Sequence, residues 1–299
     1  MFGESRGYSR HAGERAYRAA VARAFATVPH YREMWADART VLDDPAPLPA
    51  SDLDDLLPTL YPFAAPHLPR GDVVPWLGEP GELYDALRLT GVHRSDRPLF
   101  EVRTALLDWR RLGPRRGRYA VLLCANAETA DPGLRSAGIR AFHDAREPGL
   151  LGDPGQVEEL RGDHTGDVRV FLRRSLDSLD SLGLPGEQGE QAVPPGSGPR
   201  GRDAGAGEPW GRDRDGGRPA EVLWDARLGY LGARHRECGR VHTNWRRVHV
   251  RPHASGPLFT ALRRTRPTLV NIVPPGTAGL VPGLCPRHGT PVLVARGET

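Results

Sequence analysis

Apolar residues recur at helical spacing near the start of the chain. Tyr17, Val21 and Val28 fall on one face of a segment that spans residues 13–36, and mostly polar or small residues fill the positions between them. This spacing predicts an amphipathic helix that buries one stripe against a core. Pro29 is expected to bend or end the helix, because proline lacks the amide hydrogen that a helix interior requires.

Several shorter segments carry apolar residues at the same spacing. Ser51 and Asp131 precede two of them and are expected to cap the helices, since their side chains can accept hydrogen bonds from the first free amides. We predict helices over residues 51–57, 79–89, 99–112 and 132–144.

Continuous apolar runs predict strands between and after these helices. Residues 119–124 form one such run, which indicates a buried strand of a parallel sheet with Cys124 as a small buried apolar residue. The alternation of strand and helix favours an α/β fold. In the C-terminal region we predict strands over residues 245–251, 268–273 and 291–294, and a short helix or turn over residues 258–264.

Composition divides the chain into parts. It contains 36 glycines and 29 prolines, and only 38% of its residues are hydrophobic. Residues 184–220 are crowded with Gly, Pro, Arg and Asp and almost lack aliphatic residues. Such a segment buries too little apolar surface to offset the entropy of ordering it. We therefore predict a disordered linker or insertion over 184–220, between an N-terminal α/β part (1–183) and a β-rich lobe (221–299).

The charged residues restrict the possible chemistry. All 41 basic residues are arginine, against 37 acidic residues, for a formal net charge of +4. The lack of lysine excludes Schiff-base catalysis and phosphate loops that depend on lysine. Residues 234–266 hold nine arginines and one acidic residue, which would suit a nucleic-acid backbone or the phosphates of coenzyme A. The small net charge favours a solvated surface instead, without a nucleic-acid partner.

The cysteine count and the lack of long apolar runs bear on the cellular compartment. There are three cysteines, an odd number that argues against a disulfide framework, and no apolar run approaches the roughly 18 residues of a membrane helix. The first ten residues are polar and do not resemble a secretory signal. We expect a cytoplasmic protein with free thiols and no membrane contact.

Two short Cys/His pairs offer the clearest candidate chemistry. Cys238 lies four positions before His242, and Cys285 lies three positions before His288. Each pair can supply two ligands to one tetrahedral Zn²⁺, and four protein ligands leave no position for water, so the metal would be structural. A glycine directly follows Cys238 and His288, where a turn with positive φ suits that residue. The spacing alone also allows two buried thiols and two surface imidazoles.

Several segments resemble the phenylacetate–CoA ligase branch of the adenylate-forming enzymes. Residues 27–32 (TVPHYR) are similar to a segment near the N-terminus of that family, and residues 237–245 and 285–291 are similar to parts that hold a structural zinc in some members. The resemblance implies a body like the large domain of these enzymes and a small zinc-bound β-rich lobe. It implies that Cys238, His242 and Cys285 hold the zinc. Arg287 stands where the family has a second cysteine of that pair, so the fourth ligand would have to be His288, an imidazole in place of a thiolate.

The catalytic motifs of that family are not recognisable in this chain. Where its phosphate loop would lie, only Thr90 and Gly91 match, and Arg94 follows as a candidate phosphate contact. Residues 270–277 carry no carboxylate where the ribose-binding aspartate would fall, and the magnesium-binding glutamate and the catalytic lysine have no counterpart. Loss of all these groups removes most of the charge stabilisation that phosphoryl transfer requires.

The resemblance therefore implies a degenerate relative of an acid–CoA ligase large domain. Such a protein would keep a structural Zn²⁺ without efficient adenylation, and would act in binding, in assembly with another protein or as a homo-oligomer, or in a repurposed reaction. The alternative is a ligase that activates a small carboxylic acid with ATP, Mg²⁺ and coenzyme A, together with a partner that supplies the missing lysine. Arg94 or Arg97 would then contact phosphate.

Overall fold

The computed structural model describes residues 7–36, 45–63, 81–91, 99–101, 120–124, 142–143, 147–155, 157–158, 168–176 and 219–297. Over these residues the protein is mixed α/β, with two sheets and more strand than helix. The predicted α/β class is confirmed at that level. The helices are α1 (Arg10–Thr27), α2 (Pro29–Met34), α3 (Leu53–Leu56) and α4 (Glu82–Leu89).

The first helical segment folds as the sequence predicts. The hydroxyl of Ser9 accepts a hydrogen bond from the amide of Ala12 at the start of α1, over a distance of 3.3 Å. At the other end, Val28 is extended and Pro29 begins α2, so the proline divides the segment into two helices. The apolar stripe, including Tyr17, is buried as expected.

The prediction for the second helix is correct in place but wrong about its cap. A 3₁₀ turn, Ala50–Asp52, precedes α3, and a second one, Leu57–Leu60, follows it. The hydroxyl of Ser51 donates to the carboxylate of Asp52 at 2.8 Å instead of accepting from a helical amide. Because Ser51 lies inside the first turn, its side chain is not placed to cap α3.

The large sheet runs through nine strands in the order β12-β13-β8-β7-β6-β5-β4-β3-β2. The four pairings between β2 and β6 are parallel, and the four pairings from β6 through β7, β8 and β13 to β12 are antiparallel. The strands of the C-terminal region therefore extend the parallel sheet itself. They are β2 (Leu99–Glu101), β3 (Ala120–Cys124), β4 (Glu147–Gly152), β5 (Arg169–Ser175), β6 (Ala220–Asp225), β7 (Gly229–Arg234), β8 (Val241–Thr243), β12 (Leu280–Leu284) and β13 (Pro291–Ala295).

The parallel part of the sheet confirms one prediction and corrects another. Strand β3 matches the predicted strand and lies between two parallel neighbours, as predicted for a parallel sheet. The predicted burial of its side chains falls outside the described residues. The prediction of a helix from residue 99 is wrong at its start, because β2 occupies that place and Leu99 pairs with Ala120. A short apolar run fits either element, and here the neighbouring strand decides.

Some predictions fall on residues that the structure does not describe. Residues 102–112, Asp131, residues 132–141 and most of the predicted linker lie outside the described residues, as does the side chain of Cys124. Two described positions of the last predicted helix, Phe142 and His143, are helical. At the end of the predicted linker Ala220 already belongs to β6, so disorder to residue 220 is wrong at that end.

The small sheet pairs a strand from the N-terminal region with three strands from the C-terminal region. Its order is β1-β11-β10-β9, and the pairing of β1 with β11 is parallel. The helix or turn predicted for residues 258–264 is wrong, because β10 pairs with β9 and β11 and all four of its residues are buried. These strands are β1 (Leu48–Pro49), β9 (Val248–Arg251), β10 (Leu258–Ala261) and β11 (Ile272–Val273).

A shared core connects the helices with both sheets. Tyr17 and Val21 of α1 belong to the same buried cluster as Leu231 of β7, Phe259 of β10 and Leu293 of β13. A second cluster packs α4 against β6 and β7. This packing places the C-terminal end of α4 beside the turn that follows β7, where the candidate site lies.

Candidate metal centre

Two hairpin turns at the antiparallel end of the large sheet build the candidate site. The first turn, residues 235–240, joins β7 to β8, and the second turn, residues 285–290, joins β12 to β13. In each turn the fifth residue is a glycine with positive φ, +66° at Gly239 and +62° at Gly289. This confirms the conformation that the sequence predicts for these glycines. The two tight turns lie close enough for their side chains to meet in one cluster.

The structure brings the four predicted ligands together. One donor atom from each of them lies within 4.8 Å of the donor atoms of the other three. The Cys238 and Cys285 sulfurs are 3.9 Å apart, the Cys238 sulfur is 3.1 Å from His242 Nε2, and the Cys285 sulfur is 3.4 Å from His288 Nδ1. Donor atoms around a tetrahedral metal ion such as Zn²⁺ are roughly 3.3–3.8 Å apart. The three distances lie near that range, so the cluster could hold a metal ion.

Neighbouring side chains orient the two imidazoles. His242 Nδ1 lies 2.7 Å from the hydroxyl of Thr290, which leaves Nε2 to face the cysteines. His288 Nε2 lies 3.8 Å from the carboxylate of Glu237, and its Nδ1 faces Cys285. Metal-binding histidines usually pair their second nitrogen in this way, which fixes the ring and its tautomer.

Burial shifts the pKa values of two of the donors, His242 and Cys238, before a metal binds. Burial, together with the nearby rings of His235 and His288, lowers the pKa of His242 to about 4. The imidazole is therefore neutral near pH 7 and can donate a lone pair. Burial also raises the pKa of the Cys238 thiol, so a metal that binds there displaces a proton.

A cavity of about 320 Å³ opens beside the cluster. Its lining includes His288 and Thr290 of the second turn, and aromatic and basic side chains form much of the remainder. Asp85, the acidic residue among those that line it, is 2.6 Å from Arg247 and is neutralised by it. The cavity is therefore basic in character. Its lining includes Tyr8, Arg88, His235, Trp245 and Arg246.

The candidate phosphate contacts lie against the first turn. Thr90 is fully buried, its hydroxyl donates to the carbonyl of Leu87 at 2.7 Å, and its own carbonyl accepts from the amide of Arg236 at 2.9 Å. Gly91 has φ +72°, and a Cβ there would lie 3.0 Å from the ring of His235. Arg94 and Arg97 lie outside the described residues.

Sequence reasoning missed the residues that support the ligands. Thr290 and Glu237 contact the imidazoles, yet neither stands out by residue type or spacing. The signal that could have found them is the similarity of HRECGR (235–240) to CPRHGT (285–290). Both hexapeptides have a Cys or His at positions one and four and a glycine at position five.

The described helices and the comparisons with known proteins add two findings. Among the helices that the structure describes, none is both long and apolar enough to cross a membrane. No protein-family model matches the chain, and no curated protein is significantly similar to it.

Proposed function

We propose that this chain binds one Zn²⁺ through Cys238, His242, Cys285 and His288, and that the metal is structural. The observation that carries the proposal is the convergence of four donor atoms within 4.8 Å of one another. Two thiolates and two imidazoles are a ligand set that favours Zn²⁺ in tetrahedral geometry. With all four positions filled by protein, no position remains for a reacting water.

The metal would stabilise a part of the sheet with a small apolar core. Within the described part of the chain, the buried members of the cluster at this edge are Cys285, Val292 and Val294, with Cys238 and Val281 packed against them. Such a cluster buries little apolar surface, and a bound metal contributes its binding free energy directly to folding. Zn²⁺ would thus fasten the β12–β13 hairpin to the first turn.

We also propose that the protein does not catalyse efficient adenylation and acts instead in binding or assembly, as the sequence resemblance implies. Two contacts support it. The Thr90 hydroxyl is buried in a bond to the end of α4, so it does not face a nucleotide. Asn271, in the segment where the ribose-binding carboxylate would fall, is also buried, and its amide donates to the carbonyl of Pro45 at 2.6 Å.

The cavity beside the metal supports a binding role. Arg88 and Arg246 can attract a small anion, and Trp245 with Tyr8 offers aromatic surface for a planar group. A small aryl carboxylate combines both features and agrees with the acid substrates of the family that the sequence resembles. The zinc site would then shape one wall of a binding cavity.

Metal analysis of the purified full-length chain tests the zinc assignment. We expect about one zinc per chain, and we expect Cys285→Ser to lose it, because a structural site needs all four ligands. Cys124→Ser is the matched control, since it removes the remaining cysteine and none of the four donors. Equal zinc content in both variants would refute the site.

Two further measurements test the binding role. We expect benzoate or phenylacetate to change the tryptophan fluorescence, and we expect Arg246→Gln to weaken that response. We also expect no pyrophosphate release when ATP and the same acids are added. Acid-dependent pyrophosphate release at a useful rate would instead favour the acid-activating ligase.

A further inference from the structure

The two turns of the candidate metal centre are related by an approximate twofold axis. In each turn the amide of the first residue donates to the carbonyl of the sixth at 2.9 Å, and the amide of the glycine donates to the carbonyl of the first at 2.8 Å. A shift of fifty positions maps one turn onto the other, so residue 235 corresponds to 285 and residue 240 to 290.

The strands that follow the turns obey the same relation. In the antiparallel pair β8–β13, His242 lies opposite Val292, and these two residues are also fifty positions apart. The axis therefore passes between them. The relation predicts that Thr243 is opposite Pro291, and the Thr243 hydroxyl indeed donates to the Pro291 carbonyl at 3.5 Å.

The four ligands break this symmetry at one place. The second turn supplies its first and fourth residues, Cys285 and His288, and the first turn supplies its fourth residue, Cys238. The first residue of the first turn is His235, which can also bind a metal. The fourth donor comes instead from His242 on β8, where the second hairpin has Val292.

Position four of the turn already accepts either kind of ligand. It is a thiol in the first turn, at Cys238, and an imidazole in the second, at His288. Position one is a thiol in the second turn, at Cys285, and an imidazole in the first, at His235. The two turns have matching backbone hydrogen bonds and matching glycine conformations. The Cα of His235 therefore has the same place in its turn as the Cα of the ligand Cys285 has in the other.

The ring of His235 lies beside two of the ligands, but its donor atom lies within 4.8 Å of those of Glu237 and His288 and is not grouped with the cysteine sulfurs, so the ring must turn to reach the metal. The ring centre of His235 is 4.1 Å from that of His288 and 5.1 Å from that of His242. Its Nδ1 accepts one local hydrogen bond, from the Glu237 amide at 3.2 Å. The ring lines the cavity beside the cluster, which gives it space to turn.

We propose that His235 and His242 are alternative fourth ligands of the same Zn²⁺. The proposal rests on the zinc site proposed above and adds a second way to complete it. With His242 the ligands come from both turns and from β8, and with His235 they come from the two turns alone. Five side chains can therefore serve four coordination positions, which gives the site a route for exchanging one imidazole without losing the metal.

Valine substitutions in the full-length chain test this exchange. His242→Val gives β8 the residue that the other hairpin has at the corresponding place, and His235→Val is its matched control. The affinity for Zn²⁺ is measured by competition with a chromophoric chelator, and the visible spectrum of bound Co²⁺ reports tetrahedral geometry. We expect each single variant to lose about tenfold in affinity or less, and the double variant to lose more than about a hundredfold.

The outcomes separate the two proposals. If wild-type protein gives no tetrahedral Co²⁺ spectrum, the zinc site itself is wrong, and the exchange with it. If wild-type protein binds but His242→Val is as weak as the double variant, only the exchange is wrong. If the double variant binds as tightly as wild type, neither imidazole is a ligand, and both the exchange and the proposed set of four ligands are wrong.

A gain of signal provides a test that does not depend on loss of binding. His235→Cys combined with His242→Val makes the first turn match the second at position one. We expect the thiolate-to-cobalt absorption to rise to about 1.5 times that of wild type, since three thiolates replace two. Absorption equal to that of wild type, in a variant with an unchanged far-ultraviolet circular dichroism spectrum, would show that position 235 does not reach the metal.

Discussion

Replacing Cys285 by serine should remove most of the zinc-dependent stability of the protein. The Cys285 side chain is 1% exposed, and its sulfur is 3.9 Å from the sulfur of Cys238 and 3.4 Å from an imidazole nitrogen of His288. Serine at this place offers a hydroxyl, which is a poor zinc ligand at neutral pH. The three remaining donors leave the metal with an incomplete shell.

The size of the effect follows from linkage between binding and folding. At a free zinc concentration about a thousand times the dissociation constant, binding to the folded state alone stabilises it by about 4 kcal/mol. For a chain of this length each kcal/mol shifts the unfolding midpoint by about 2 °C, so zinc should raise it by about 8 °C. Cys285→Ser should abolish that shift.

The assay is thermal unfolding of wild type and Cys285→Ser, each with zinc and with a chelator. Comparing all four midpoints separates the loss of metal from the change of a buried thiol to a hydroxyl, since only the second effect remains under chelation. A zinc-dependent shift of the same size in both proteins would refute the reasoning. Cys124→Ser again serves as the control and should keep the full shift.

Three further predictions concern packing, protonation and the support of the ligands. Gly232→Ala should destabilise the fold by about 3 kcal/mol or more in denaturant unfolding, because a Cβ there would overlap the carbonyl oxygen of His242 across the sheet. Gly155→Ala, where a Cβ meets nothing within 4 Å, should change stability little. In unfolding experiments at several pH values, His249→Gln should reduce the fall in the free energy of unfolding below pH 6.5. Burial lowers the pKa of His249 from 6.5, and glutamine does not titrate. Thr290→Val should weaken zinc binding by about tenfold in a chelator competition, because it removes the hydroxyl beside His242 Nδ1.

The sign of the pH effect is worked out from the two states. Above pH 6.5 His249 is neutral in both the folded and the unfolded chain, so its titration does not change the free energy of unfolding there. Below pH 6.5 the unfolded chain takes up a proton that the folded chain resists, and the free energy of unfolding falls as pH falls. Burial is the largest cause of the lowered pKa of His249. The negative charge of Glu14 raises this pKa, and the positive charge of Arg251 lowers it. An unchanged pH profile in His249→Gln would contradict this account.

The remaining two predictions have equally clear contrary results. Equal stability of the Gly232 and Gly155 variants would mean that the close approach across β7 and β8 is not a constraint. Unchanged zinc affinity in Thr290→Val would mean that the hydroxyl does not orient His242.

Local sequence signals were sufficient where the structure depends on near neighbours. The stripe of α1 and the break at Pro29 follow from spacing and from the chemistry of proline. Strand β3 follows from a continuous apolar run in an alternating pattern.

Pairing with neighbouring strands decided the segments where prediction failed. Residues 99–101 and 258–261 each begin with Leu-Phe, which suits a helix or a strand, and both form strands because partner strands supply their hydrogen bonds. The partners of 258–261 lie in β9 and β11. No local pattern specifies such a register.

The same limit applies to the metal centre. Residue types and spacing identified two Cys/His pairs, but only the fold shows that β8 and β13 are adjacent and so bring the pairs together. Spacing also cannot choose between His235 and His242, which lie three and four positions from Cys238. That choice depends on the direction in which each ring leaves the backbone.

X-ray absorption spectroscopy at the zinc edge, on full-length protein purified with zinc, tests the central claim most directly. The account predicts two sulfur neighbours at about 2.3 Å and two nitrogen neighbours at about 2.0–2.1 Å. A shell made of oxygen and nitrogen without sulfur would contradict it.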